Sequence, residues 1–343
     1  MWTKKERMLA VLNGEFADRP PVSAWRHFID KEHSGVEPFV ESMLDWHTTY
    51  DWDYVKLQPR ASYYEEAWGG QFDYDNYEGV LPKCIKGPIS CAEDLEKIVE
   101  LPGDSGPLAE QIEAVKAVQD RLTDGAPVFQ TMMCPTSILQ KLCAVNPIGR
   151  YRAASRGDLM VTLMNEQPEL VHRTLKNITR TMADYSRKLI DNGMFGVFYG
   201  ATGLSRTTYL TKDEWEEFVK PYDLEMMEVL KPCKIMVHAC GLEVNPQNFA
   251  HYPIDILQWP ETATGNPSLD SVPQWLDKSI IPMGGCDERL FGQHKAEEIA
   301  AATRNTLKRM AEIPFILAPD CSLALNTYDD ELRAFIAAAR ENV

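Results

Sequence analysis

Eight short apolar runs recur along this chain, at 22–25, 54–57, 128–132, 195–199, 234–238, 255–259, 280–283 and 315–318. Each reads as a strand buried on both faces, as in a parallel sheet. Segments with helical periodicity lie between the later runs, at 163–191, 212–230 and 295–311, and the chain closes on another at 329–340. Strand and helix alternate, which predicts βα repeats and a single (β/α)8 TIM barrel spanning residues 1–343. Thr3 and Glu6 have capping-box spacing and Asn13-Gly14 supplies a stop, so an N-terminal helical extension over 4–13 should plug or flank the barrel. Thr211 and Glu214 repeat the capping spacing, and Pro221 predicts a break near Val219. The polar, turn-rich stretch 71–102 is expected to be an insertion above the barrel, not a second domain.

Composition narrows the function. With 343 residues, 44% hydrophobic and 25% charged, the chain has the balance of a globular enzyme large enough for one sizeable core. A net charge of −16 excludes the cationic footprint that a nucleic-acid partner requires. No apolar run approaches the roughly 18 residues of a membrane span, and residues 1–7 lead into an amphipathic stretch instead of a signal core. The expected setting is the cytoplasm, where the eight cysteines would be free thiols or metal ligands.

Chemistry-bearing residues fall just beyond several predicted strands: Arg26, Arg60, Cys134, His238 with Cys240, Glu261, Asp287 and Cys321. That end of an α/β barrel is where active sites are built. In a strand, positions i and i+2 share a face, so His238 and Cys240 can converge on one ion, and Cys321 can complete the set from a later strand end. Three such ligands suit tetrahedral zinc and leave one coordination position for substrate. Buried cysteines also serve as small hydrophobes, and Cys134 and Cys286 occupy similar positions, so spacing alone leaves them open as alternative ligands.

The chain resembles the uroporphyrinogen decarboxylase superfamily, whose members have the α/β-barrel fold, over nearly its full length. The resemblance is carried by KKERMLAVLNG at 4–14, DRPPV at 18–22, DYVK at 53–56, EAWG at 66–69, MVHACG at 236–241, PMGGCD at 282–287 and LAPDCS at 317–322. Within that superfamily, His238, Cys240 and Cys321 match the zinc motif of the corrinoid-dependent methyltransferases, which the true decarboxylases lack. Arg26 matches the first arginine of the decarboxylase N-terminal motif. Asp30 stands where a second arginine is expected, Arg60 where the decarboxylase has its catalytic aspartate, and Cys321 where it has a histidine. A porphyrinogen needs a central carboxylate to hold its pyrrole NH groups, and Arg60 reverses that charge.

The resemblance therefore implies a zinc-dependent methyltransferase that moves a methyl group between a corrinoid (cobalamin) and a small thiol or methyl ether. A decarboxylase of the parent type and a zinc-thiolate alkyl transferase are the alternatives. Glu261 resembles an acidic position near the zinc and, with Arg60 and Tyr199, is expected to take part in catalysis. Arg26, Arg60, Arg206 and Tyr209 are expected to contact substrate, Arg26 and Arg60 through an anionic group. For Arg26 and Arg60 the rival reading is a salt bridge to acids such as Glu65 or Glu66. Asp287 and Asp320 are candidate partners of the ligands. The stretch 45–50, DWHTTY, imitates a cobalamin signature but ends in Tyr where Gly is required. The corrinoid should thus arrive on a separate protein. The expected partners are that protein and the small methyl donor or acceptor, with a homodimer as an option and neither nucleic acid nor membrane.

Overall fold

Alternate residues of the parallel strands face two different apolar layers, which is what a strand period of two requires when both faces are buried. A computed structural model describes residues 2–145, 151 and 156–341. Its strands are β1 Val55–Lys56, β2 Gln71–Glu78, β3 Leu81–Lys86, β4 Val128–Met133, β5 Gly196–Thr202, β6 Lys234–Ala239, β7 Ile256–Gln258, β8 Ile281–Cys286 and β9 Ile316–Pro319. Seven of them form one parallel sheet in the order β1-β4-β5-β6-β7-β8-β9, while β2 and β3 form an antiparallel hairpin. Tyr54, Phe129, Phe198, Met236, Ile256, Met283 and Ile316 share one inner cluster. Their sequence neighbours Val55, Val128, Val197, Val237, Leu257 and Leu317 face the helices in the outer cluster. Residues from both ends of the sheet meet inside, with Tyr54 Oη 3.9 Å from Met283 Sδ, so the sheet is curled.

The first expected strand, 22–25, is corrected: it makes a single parallel bridge, Val22 to Leu317. Pro21 has no N–H to donate, and the N–H of Val22 goes to the Asp53 carboxylate at 2.8 Å instead of to a ladder carbonyl. The segment still touches both edges of the sheet. Asp53 N donates to Val22 O at 2.9 Å on one side, and Leu317 N donates to Pro21 O at 2.9 Å on the other.

The opening helix runs from Lys4 to Leu12 with the Thr3–Glu6 capping box in place. Its Met8, Val11 and Leu12 join the inner cluster beside Phe195, the residue just before β5, and so cover the end where the strands begin. The periodic segment 163–191 is two helices, Leu159–Glu166 and Pro168–Asp191. Pro168 excludes the helical conformation from the residue before it, and Gln167 has φ −135° and ψ 50°. The break expected near Val219 separates Lys212–Phe218 from Lys220–Leu230. The interval 71–102 holds the β2–β3 hairpin and a short turn of helix at Ala92–Lys97. Tyr74 of the hairpin donates to Glu66, and Tyr77 donates to Ile29 O at 3.4 Å. The hairpin therefore leans on the loop that follows 22–25 and on the short helix Tyr63–Ala67 that follows β1.

Candidate metal centre

His238 occupies the same face of β6 as Met236, so its ring enters the interior, where it lies 5.2 Å from the ring of Phe198. Cys240 follows at i+2, and its N–H extends the ladder by donating to Thr202 O at 2.9 Å. The chain then turns at Gly241 with φ 107°, a conformation that strongly favours glycine. Cys321 follows β9 and is approached from a pinned loop. Asp320 N donates to Cys286 O at 2.8 Å, and the Asp320 carboxylate accepts from Gly285 N at 3.1 Å and from the Thr262 hydroxyl at 2.7 Å. Gly285 is required beside it, because a Cβ there would meet Thr306 Cγ2 at 2.4 Å. Burial, reinforced by Glu288, pushes the Asp320 carboxyl well above its ordinary range.

These elements bring three ligand atoms together. Cys240 Sγ is 3.5 Å from Cys321 Sγ, and Cys321 Sγ is 3.4 Å from His238 Nε2. All three candidate donor atoms lie within 4.8 Å of one another. The sulfurs are too far apart for a disulfide of about 2.05 Å. A tetrahedral ion with Zn–S near 2.3 Å and Zn–N near 2.0 Å spaces its donor atoms by about 3.5–3.8 Å, close to the 3.5 and 3.4 Å separations that Cys321 Sγ makes with Cys240 Sγ and His238 Nε2. Among the described residues this is the sole group of three or more His, Cys, Asp or Glu side chains with metal-holding geometry. Cys134 instead caps the helix Pro135–Leu142, accepting from Ser137 N at 3.3 Å. Cys286 faces Thr303 of the helix Ala296–Arg309. Burial pushes both thiols up, so neither is disposed to ionise.

Several other expected site residues stand elsewhere. Glu261 does not join the cluster: its carboxylate accepts from Leu269 N at 2.7 Å and from Arg309 at 2.5 Å. Tyr199 sits at an odd position of β5 and points outward, where it donates to Asp223 on the helix Lys220–Leu230 at 2.8 Å. Tyr209 is buried, donating to Asp158 at 2.7 Å and accepting from Gln140 at 3.0 Å. Asp287 binds Arg289 at 2.8 Å. Arg60 forms ion pairs with Glu66 at 2.8 Å and Glu110 at 2.7 Å. Burial alone would lower this guanidinium, but the two carboxylates hold it well above its ordinary range. Arg26 donates to Leu325 O at 3.1 Å and lies 5.0 Å from Phe28 and 5.1 Å from Trp46, measured to the ring centroids. Arg206 is buried near the cluster. Desolvation lowers its guanidinium, while Glu243 and Cys240 act in the opposite direction.

A polar chain inside the mouth escaped the sequence reading. Glu32 pairs with His27 Nδ1 at 3.0 Å, and His27 Nε2 lies 2.8 Å from Gln58 Nε2. Gln58 accepts from Lys56, whose ammonium is 4.1 Å from the centroid of Phe198. The available signal was a lysine inside the apolar run 54–57.

A curled parallel sheet with His238 near the end of one strand and Cys240 and Cys321 just beyond two strand ends defines a barrel-like α/β fold. The chain belongs to the uroporphyrinogen decarboxylase (URO-D) family, matching its description over residues 3–342. It is 19% identical to the methylcobamide:CoM methyltransferase MtbA of Methanosarcina mazei, over 71% of this chain and 72% of that protein. It is 22% identical to uroporphyrinogen decarboxylase 2, chloroplastic, of Arabidopsis thaliana, over 99% of this chain and 86% of that protein. A solved methyltransferase from Methanosarcina mazei superimposes with a TM-score of 0.81 at 18% identity, covering 99% of this chain and 98% of the other. At that identity the likeness establishes the fold.

Proposed function

We propose that this chain is a zinc-dependent methyltransferase that moves a methyl group between a corrinoid carried by a partner protein and a small thiol or methyl ether. The observation that carries the reading is the convergence of His238 Nε2, Cys240 Sγ and Cys321 Sγ within 4.8 Å. In this reading the chain is a single domain, and the seven strands and segment 21–23 act as the staves of one barrel. A bound zinc ion would supply Lewis acidity, selecting the thiolate of a thiol or polarising an ether oxygen. His238 and the two cysteines hold the ion, and the Asp320 contacts with Gly285 and Thr262 keep the Cys321 loop in place. Phe198 packs against the ring of His238, with the Lys56 ammonium over its own ring, and so holds the imidazole on the interior side.

The similarity to MtbA supports a corrinoid as the other methyl carrier. The stretch 45–50 lies within the helix Val36–Tyr50, where buried His47 binds Asp124 at 2.7 Å, so it holds the helix and not a cofactor. The corrinoid protein would dock over the strand ends, with both partners in the cytoplasm. Similarity to the Arabidopsis decarboxylase favours the second reading, a decarboxylase of the parent type. One set of assays separates the two. The methyltransferase reading expects about one zinc per chain, methyl transfer from methylcobalamin or a methylated corrinoid protein to a thiol, or demethylation of an ether, and no product from uroporphyrinogen. Metal-free protein, purified without chelators and fully active, would overturn it, as would ready decarboxylation of uroporphyrinogen.

A further inference from the structure

The ligand set has a neighbour that neither spacing nor charge points to. Gln258 ends β7 and is paired in register with His238 of β6. Ile256 faces the inner cluster, so Gln258, two residues on, shares the face from which His238 enters the interior. It is fully buried, with 0% exposure. Its Nε2 donates to Pro319 O at 2.8 Å. A peptide carbonyl can only accept, so this contact decides which corner of the amide is nitrogen and leaves Oε1 on the other side. Buried Oε1 has no hydrogen-bond partner among the described residues, and neither does buried His238 Nδ1. An unsatisfied buried polar atom forfeits the hydrogen bonds it made to water, and here two such atoms sit on register-paired residues of adjacent strands.

The two atoms become complementary once Nε2 of His238 is a ligand. A neutral imidazole carries one N–H, so coordination at Nε2 puts the proton on Nδ1 and makes that nitrogen a donor. Gln258 Oε1, not hydrogen-bonded to His238 in this structure, is an acceptor of matching chemistry on the next strand. Metal-ligating histidines generally hand this proton to a carboxylate, carbonyl or water, which fixes the ring's tautomer and orientation. From this geometry we infer that Gln258 is the positioning residue of the metal centre. Its Oε1 accepts the His238 Nδ1 proton while its Nε2 holds the carbonyl of Pro319, two residues before Cys321. One amide thus ties the strand bearing His238 to the strand leading into Cys321. The inference rests on the zinc reading above and says which residue orients its histidine.

The test uses the full chain, zinc-loaded, as wild type, Gln258→Leu and Gln258→Glu. Zinc affinity is read by chelator competition, and the His238 Nδ1 proton by NMR of protein carrying nitrogen-15 histidine. Gln258→Leu should weaken zinc about 10–100-fold and make the Nδ1 proton exchange rapidly. Gln258→Glu keeps the acceptor for His238 Nδ1 but loses the donor to Pro319 O, so it should restore the protection of the Nδ1 proton and recover only part of the affinity. In the wild type the proton should be exchange-protected and close in space to the Gln258 side chain, a readout that stands even where the leucine variant fails to fold. Wild-type zinc binding with an unprotected Nδ1 proton, or equal zinc affinity in Gln258→Leu, overturns the role of Gln258 while leaving the metal centre intact. Wild-type protein that binds no zinc overturns the methyltransferase reading itself, and the inference with it.

Discussion

Cys240 Sγ lies 3.5 Å from Cys321 Sγ, although 81 residues separate them in the chain. Their strands, β6 and β9, are not neighbours, because β7 and β8 stand between them. Three steps of about 4.8 Å would hold the two strands about 14 Å apart in a flat sheet. The thiols meet only because the sheet curls and its strand ends converge on one mouth. The ligand set is thus a consequence of curvature.

A centre formed across a mouth lies outside the backbone ladder, so its loss should spare the fold. Cys321→Ala is expected to remove most of the zinc and abolish methyl transfer while leaving the far-ultraviolet dichroism and cooperative melting unchanged. A core of this size folds without metal, unlike small zinc domains. Global unfolding of the variant would assign the zinc a structural role.

Arg60 is expected to matter for stability before it matters for substrate. It lies almost wholly buried between Glu66 and Glu110, at 2.8 Å and 2.7 Å. Arg60→Met leaves the Glu66 carboxylate partly buried without its main counter-charge, an outcome that costs about 3 kcal/mol. Denaturant melts should show that loss with zinc content unchanged. A normal melt combined with a raised KM for an anionic substrate would restore the substrate-binding role.

Asp223 should make stability depend on pH. Burial raises its carboxyl to about 7, with the Tyr199 and Tyr252 hydroxyls opposing the shift. The folded chain therefore holds this proton more tightly than the unfolded chain does. The contribution favours folding at low pH, and it is lost as pH rises from the unfolded value of 3.8 through about 7. Asp223→Asn keeps an acceptor for Tyr199 and cannot ionise. Relative to wild type, it should gain on the order of 2 kcal/mol between pH 5 and pH 8. A difference in stability that stays flat over this range would refute the shift.

Much of the architecture is local and was readable. Seven of the eight expected strand positions followed from short apolar runs, and the Thr3–Glu6 and Thr211–Glu214 boxes appear as their spacing predicted. The split at Pro168 was also a local signal, hidden because helical periodicity continues through it. His238 and Cys240 share a face by strand alternation alone, and the resemblance placed Cys321 with them.

By itself, then, the sequence determined the βα alternation, the helix caps and the face shared by His238 and Cys240, because each depends on residues a few positions apart. Tertiary structure decided which charges are already neutralised. Arg60 met Glu110, Glu261 met Arg309 and Tyr199 turned to Asp223, all contacts made by helices docking on the outside of the sheet. It also decided that Cys134 and Cys286 face helices while Gln258 shares the inward face of His238. The physical reason is that one turn of strand parity sends a side chain inward or outward, but only the curl of the sheet and the packing of its helices determine what waits there.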